Sequence, residues 1–228
     1  MIQNNKNVVI VTPAREFSPC YVRSFFNTVK YCSQNNIELS FLHESGAHVG
    51  QLRDKLAFRV LTEHSEYSHM FWVDSDIEWS VSDFCSLLES PHMITSGIYV
   101  IRGDGSLSVV VKKSPQQILE EAASNSEASI FDYKFAKIED LNTSVKYVNI
   151  DAAGFGFVCF KQGVFENIHN PYFADAEEEA VTSDGRVIKR IVTSEDTAMF
   201  KRAKDAGFDA VVDTDVKVGH FKSSVLVP

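Results

Sequence analysis

Met70-Phe71-Trp72-Val73 runs without a polar break into Asp74-Ser75-Asp76, and this stretch constrains the fold more than any other. An unbroken apolar run of this length predicts a buried strand. Extended geometry sends alternate side chains to one side, so Asp74 and Asp76 are expected to point together at the strand's end. Two ionised carboxylates so placed repel each other unless a cation joins them, and hard divalent cations prefer oxygen ligands. The plainer alternative is a strand end that enters a solvated turn.

Two other readings of Asp-x-Asp fit poorly. An EF-hand loop needs Gly at its sixth position, where this chain has Trp79. A haloacid-type phosphatase carries its pair after the first strand, whereas this one lies a third of the way along the chain and is followed by Ile77-Glu78.

Around that strand the chain alternates strand and helix signals. Asn7 to Thr12 is a β-branched run that predicts a buried strand. It ends in Thr12-Pro13-Ala14-Arg15, and ligands of open α/β sheets bind at strand C-termini. Ser18-Pro19 reads as an N-cap followed by Pro at the first helical position. Val22, Phe25, Phe26, Val29 and Cys32 then recur at helical spacing. Ile37 to His43 predicts a second strand. After the loop Glu44 to His48, Val49, Leu52, Leu56 and Val60 form a helical stripe. Arg53 lies near that helix's start, off the stripe; it is either solvated or paired with Asp54 or Glu44, or a cation held over an anionic ligand.

Past the Asp-x-Asp strand, Ser80 to Asp83 opens a helix with Phe84, Leu87 and Leu88 inward. Met93 to Ile101 predicts a strand interrupted at Ser96-Gly97, then the turn Arg102-Gly103-Asp104-Gly105 and a second strand over Ser106 to Lys112. Residues 113–146 are more polar, with a short helix expected around Gln116 to Ala123. Lys146 to Ile150 predicts a strand. Ala152 to Phe160 combines glycines and aromatics, read as a bulged core strand or a place of close backbone approach. Val164 to Ile168 predicts a short helix. The charged stretch from Pro171 to Arg190 reads as a solvated loop, long enough to be a binding lid.

Ser194-Glu195-Asp196-Thr197 starts the last helix. The helix dipole accounts for both acids and is expected to lower the pKa of Asp196. Met199, Ala203 and Ala206 are expected to face the core, with Gly207 as the C-terminal cap. Ala210 to Val212 predicts a short strand leading to His220.

The 228 residues suffice for one large domain or two very small ones. No apolar run approaches the roughly 18 residues a membrane helix needs, and the N-terminus lacks a signal-peptide core. Cys20, Cys32, Cys85 and Cys159 are scattered without a C-x-x-C pair, which suits reduced thiols and a cytoplasmic location. The net charge of -9 argues against a generally basic nucleic-acid surface.

In this order the pieces resemble a glycosyltransferase of the glycosyltransferase-A fold, close to the stand-alone enzymes of large DNA viruses and bacteriophages. The resemblance spans roughly residues 7–222. It is carried by the strand ending Thr12-Pro13, the helix with Arg53, Asp74-Ser75-Asp76, Gly154-Phe155-Gly156-Phe157, Glu195-Asp196 and His220. It implies one α/β domain over residues 1–228 with a mixed sheet flanked by helices. Residues 7–102 would form the nucleotide-sugar half and 103–228 the acceptor and catalytic half. It further implies Mn2+ or Mg2+ bound by Asp76 and His220, with Asp74 holding a metal-bound water or the ribose.

By the same resemblance, Arg15 and Arg53 would grip a nucleotide-diphosphate sugar, a UDP-sugar foremost, with Thr12, Pro13 and Ser75 beside it. Asp196 would be the base of an inverting transfer and Glu195 a sugar or acceptor contact. The acceptor would be a glycan, a protein or a hydroxymethylated DNA base; Lys189-Arg190 and Lys201-Arg202-Lys204 keep DNA in view, and a viral enzyme would work in the host cytoplasm. Phe221-Lys222 after the histidine departs from many relatives. A nucleotidyltransferase is the second reading, though Thr12-Pro13-Ala14-Arg15 lacks its glycine cluster. A non-catalytic sugar-nucleotide or glycan-binding module is the third.

Overall fold

The computed structural model describes residues 6–101, 105–112, 133–181 and 185–221. In chain order these form β1 (Asn7–Pro13), α1 (Pro19–Gln34), β2 (Glu38–Glu44), α2 (Val49–Glu63), β3 (His69–Val73), β4 (Ile77–Glu78) and α3 (Val81–Leu88). Next come β5 (Ile94–Ile98), β6 (Val109–Lys112), β7 (Tyr133–Phe135), β8 (Tyr147–Ile150), β9 (Ala152–Ala153) and β10 (Phe157–Lys161). The chain continues with β11 (Ala176–Val181), β12 (Val187–Thr193), α4 (Glu195–Asp205), β13 (Ala210–Lys217) and β14 (Gly219–His220).

Seven strands make one mixed sheet in the order β2-β1-β3-β10-β5-β13-β8. β1 runs parallel to β2 and β3, β10 antiparallel to β3 and β5, and β13 parallel to β5. The residues expected to form two functional halves are thus interleaved, with β10 between β3 and β5. Alternation along each strand divides the core. Val8 and Ile10 join Phe71, Phe84 and Leu87 on the face covered by α1 and α3. Val9 and Val11 join Trp72, Leu56, Val60 and Phe200 on the face covered by α2 and α4. β3 is buried at all five residues, as its apolar run requires.

The capping signals hold. Ser18 accepts from the Tyr21 N–H with Pro19 opening α1, Ser80 and Asp83 form a capping box on α3, and Gly207 closes α4 at φ +91°, a left-handed value that suits Gly. Three apolar expectations do not hold. In α1, Val22, Phe26 and Val29 face outward, and Cys20, Tyr21, Ser24, Thr28 and Cys32 are buried. In α2, Val49 is exposed. In α4, Ala206 is exposed and Ala198, Met199, Phe200 and Ala203 are buried.

The charged stretch before α4 is a β-hairpin, β11 against β12, not a loop. The bulged strand over Ala152 to Phe160 is two strands, β9 and β10, joined by the turn Gly154-Phe155-Gly156. Val100 bridges Leu107 and the Ile101 N–H donates to Ser106 O, closing the expected hairpin. Arg102, Gly103 and Asp104 at its tip, and the helix expected around Gln116 to Ala123, lie outside the described residues. Among the described residues no helix is long and apolar enough to cross a membrane.

Candidate active site

β3 ends at Val73, so Asp74, Ser75 and Asp76 form a tight turn rather than extended chain. The Ile77 N–H donates back to Asp74 O at 3.1 Å. The strand argument for parallel side chains therefore does not apply, yet the turn still keeps the two carboxylates close enough for Asp76 to act on the charge of Asp74. The turn is pinned from three sides. Ser18 N–H donates to Ser75 O (2.9 Å), Asp74 N–H to Gly156 O (3.0 Å) and Phe221 N–H to Asp76 O (2.7 Å).

The last of these bonds follows from β14, which pairs with β4 at His220 opposite Ile77. That pairing returns the chain's end to the Asp-x-Asp turn. His220 Nε2 lies 3.1 Å from Asp76 Oδ2, and Nδ1 lies 2.9 Å from Val100 O. A backbone carbonyl can only accept, so Nδ1 carries a proton. Nε2 then faces a carboxylate, an arrangement that needs either a second ring proton or a cation shared between the two groups.

On the other side of Asp74, α2 delivers Arg53. It is neither solvated nor paired with Asp54 or Glu44: it is 4% exposed. Its Nη1 meets Asp196 and lies 3.2 Å from Glu195 Oε1, and its Nη2 lies 3.4 Å from Asp74 Oδ1. The guanidinium sits 5.2 Å from the Phe155 ring centre and 5.9 Å from that of Phe173, within cation–π range. Its Nε is buried without a hydrogen-bond partner among the described residues. Asp54 caps the neighbouring chain instead, accepting from Tyr172 N–H and Phe173 N–H.

Three carboxylates thus share one guanidinium, and Asp76 adds a fourth negative charge beside Asp74. Burial penalises the charge on Arg53, but Asp196, Asp74 and Glu195 outweigh it and hold Arg53 firmly protonated. The carboxylates are less well served. Burial raises the pKa of Asp74, the charge of Asp76 adds to this, and Arg53 opposes it. Asp196 is pushed up to about 7, by burial first and then by the charges of Glu195 and Asp74, against Arg53 and a backbone hydrogen bond from Phe155. The expected lowering by the helix dipole is overturned here, because desolvation and like charge exceed a dipole contribution of about 0.3–1 kcal/mol.

Six residues singled out in the sequence therefore come together: Arg53, Asp74, Asp76, Glu195, Asp196 and His220. The remainder lie around them. Thr12 is fully buried, with its hydroxyl 2.6 Å from that of Tyr21. Pro13 is half-buried at the end of β1, beside the end of β3. Arg15 is exposed and donates from Nε to Gly46 O at 3.1 Å. Ser75 is half-buried in the turn itself.

Sequence reasoning gave no role to Tyr99 and Phe173 and named Phe155 only within its glycine-flanked motif; all three are buried at this site. The doublet of glycines around Phe155 was the available signal, since both lie against Tyr99. Among the described residues no three His, Cys, Asp or Glu side chains form a metal-holding group. What the site offers is the pair Asp76 and His220, with Asp74 drawn toward Arg53.

No family model matches the chain, and no curated protein matches it in sequence. Solved structures do match in fold. A197 from STIV is similar over 98% of this chain and 97% of its own, at a TM-score of 0.54 and 14% identity. GalNAc-T7, solved with UDP, GalNAc and Mn2+, is similar over 96% of this chain at a TM-score of 0.55 and 11% identity. This chain spans less than half, 44%, of that one. The catalytic domain of Drosophila β1,4-galactosyltransferase 7, in complex with xylobiose, is similar over 96% of this chain and 71% of its own, at a TM-score of 0.50 and 11% identity. The mixed sheet flanked by helices is a glycosyltransferase-A fold.

Proposed function

We propose, on a chain with this fold, that the site transfers a sugar from a nucleotide-diphosphate sugar to an acceptor hydroxyl, with metal assistance and inversion at the anomeric carbon. The observation that carries this is the Arg53 cluster. It places Asp196, a carboxyl with a pKa near neutrality, in one charged network with the Asp74-Ser75-Asp76 turn. A general base works best with a pKa near the working pH. GalNAc-T7, of similar fold, was solved with UDP, GalNAc and Mn2+, which supports a nucleotide-sugar donor and a divalent cation here.

Asp76 and His220 fit a cation: a protonated Nδ1 fixes the ring, and Nε2 and Oδ2 face each other across 3.1 Å. Held by these two side chains, Mn2+ or Mg2+ would supply positive charge for the departing diphosphate. Arg53 contributes differently from the expected pyrophosphate grip. Its charge is committed to three carboxylates, so it positions Asp74 and Asp196 relative to each other. Asp196 takes the proton of the acceptor hydroxyl, and Glu195, on the same guanidinium, contacts the acceptor or the transferred sugar. Arg15, exposed at the end of β1, is the residue left to meet the nucleotide.

A glycan or protein hydroxyl is the acceptor this reading favours over DNA. Of the basic cluster on α4, Lys201 pairs with Asp205, Lys204 with Asp151, and Arg202 donates to Tyr172 O. Phosphate binding needs such charges to be available.

Thermal shift with UDP and Mn2+ tests the metal role. UDP with Mn2+ should stabilise the wild type, and Asp76→Ala should lose that stabilisation while its melting temperature without ligand stays close to wild type. Equal stabilisation of both proteins, or full transfer activity after chelation, would remove the metal from the account.

A further inference from the structure

We propose that Tyr99 is a positioning residue for this transfer: its hydroxyl fixes the Gly154-Phe155-Gly156 turn, which ties the donor-side carboxylate Asp74 to the base Asp196. The inference rests on the function proposed above and adds to it a residue outside the charged cluster.

Tyr99 follows β5 and is 6% exposed. Its hydroxyl accepts the Gly156 N–H at 3.1 Å. Its own N–H donates to Ser108 Oγ at 3.2 Å, which anchors the residue. The ring occupies the space two side chains would need: a Cβ on Gly154 would lie 2.4 Å from the hydroxyl, and one on Gly156 2.5 Å from Cζ. Glycine is thus required at both positions by contact with this tyrosine.

From the turn so held, contacts run to the two halves of the site. Gly156 O accepts the Asp74 N–H at 3.0 Å. On the other side the Phe155 ring lies under the Arg53 guanidinium, whose Nη1 meets Asp196. The Tyr99 ring also stands edge-on to His220, with centroids 5.4 Å apart. One side chain therefore touches the turn that spaces Asp74 from Asp196 and the histidine that faces Asp76.

Spacing matters because in-line displacement requires the base to approach the anomeric carbon opposite the leaving group. A misplacement of about 1 Å costs about 100-fold in rate. Burial raises the pKa of the phenol far above its ordinary value, so it stays neutral and keeps its hydrogen-bonding form.

Tyr99→Phe removes the hydroxyl and keeps the ring, so the ring's packing against Gly156 and the fold are retained while the contact of the hydroxyl at Gly154 is lost. The expected result is a kcat lower by about tenfold or more, with donor KM and UDP–Mn2+ affinity within about twofold of wild type. Hydrogen exchange at the Gly156 amide should accelerate, a readout independent of turnover. An unchanged kcat, or a raised KM with kcat preserved, would overturn the assignment, as would unchanged Gly156 exchange. The two proposals fail differently. A wild type that releases no nucleoside diphosphate from any nucleotide sugar removes the reaction and this role with it. An active wild type matched by Tyr99→Phe removes this role alone.

Discussion

At the scale of single residues, the site depends on one guanidinium serving three acids. Arg53 was legible as a candidate cation over an anion, but not as the centre of a carboxylate cluster. Its partners Asp74, Glu195 and Asp196 are 21, 142 and 143 residues away, and only the fold brings them together. The same blindness gave Asp196 the wrong sign of pKa shift, since a helix N-terminus is visible in sequence and burial among like charges is not.

Asp196→Asn tests the base. It keeps the shape and should lower transfer by about 100-fold or more, the scale of losing a general base, with UDP–Mn2+ binding retained. Because only the ionised carboxylate accepts a proton, kcat/KM of the wild type should rise with pH through about 7 and then level off. Near-normal turnover in the variant, or a flat profile between about pH 5 and about pH 9, would leave Asp196 as a binding residue.

At the scale of elements, α1 shows what periodicity can and cannot decide. Its boundaries follow from Ser18, Pro19 and the turn at Asn35, all readable in sequence. Its buried face does not, because apolar residues on the outward face compete with polar residues on the inward one. The polar ones are buried because they have partners. Trp79 donates from Nε1 to Thr28 Oγ1 at 2.9 Å and from its backbone to Ser24 Oγ at 3.0 Å, and Thr12 bonds Tyr21. No local rule reveals a partner 51 or 55 residues away.

The energetic order is thus the reverse of hydrophobicity. Thr28→Val strands the Trp79 indole N–H and should cost about 1–3 kcal/mol in urea unfolding. Phe26→Ser, at a side 66% exposed, should stay within about 0.5 kcal/mol. A larger loss at Phe26 than at Thr28 would mean that α1 packs through its other face. The hairpin β11–β12 escaped the sequence for a related reason: a charge-rich run such as Glu177-Glu178-Glu179 lacks the apolar alternation that announces a strand.

At the scale of the whole molecule, the sheet order explains why residues spread from Arg53 to His220 form one site. β10 enters between β3 and β5, so its preceding turn lies beside the Asp-x-Asp turn, and β14 closes on β4 from the other side. The strands of the central sheet and the order of motifs were readable, and so was the fold they imply. The insertion of β10 and the hairpin before α4 depend on pairings between distant segments.

A site assembled from like charges is expected to weaken the fold that carries it. The folded pKa of Asp196 lies above its ordinary value, so the proton it retains stabilises the folded state at low pH. That contribution is complete below the ordinary carboxylate pKa and is lost as pH rises through about 7. Asp196→Asn removes the dependence. The melting temperature of the variant relative to wild type should therefore climb as pH is raised across that window, and a constant difference would show that Asp196 titrates normally.

Glycosyl transfer is read from its nucleotide product. Wild-type protein, incubated with a panel of nucleotide-diphosphate sugars and Mn2+, should release nucleoside diphosphate from at least one donor, slowly by hydrolysis and faster with an acceptor. Asp76→Ala should release none. No nucleoside diphosphate from any donor, or nucleoside triphosphate formed when pyrophosphate is supplied, would contradict glycosyl transfer, and the second result would assign the site to nucleotidyl transfer instead.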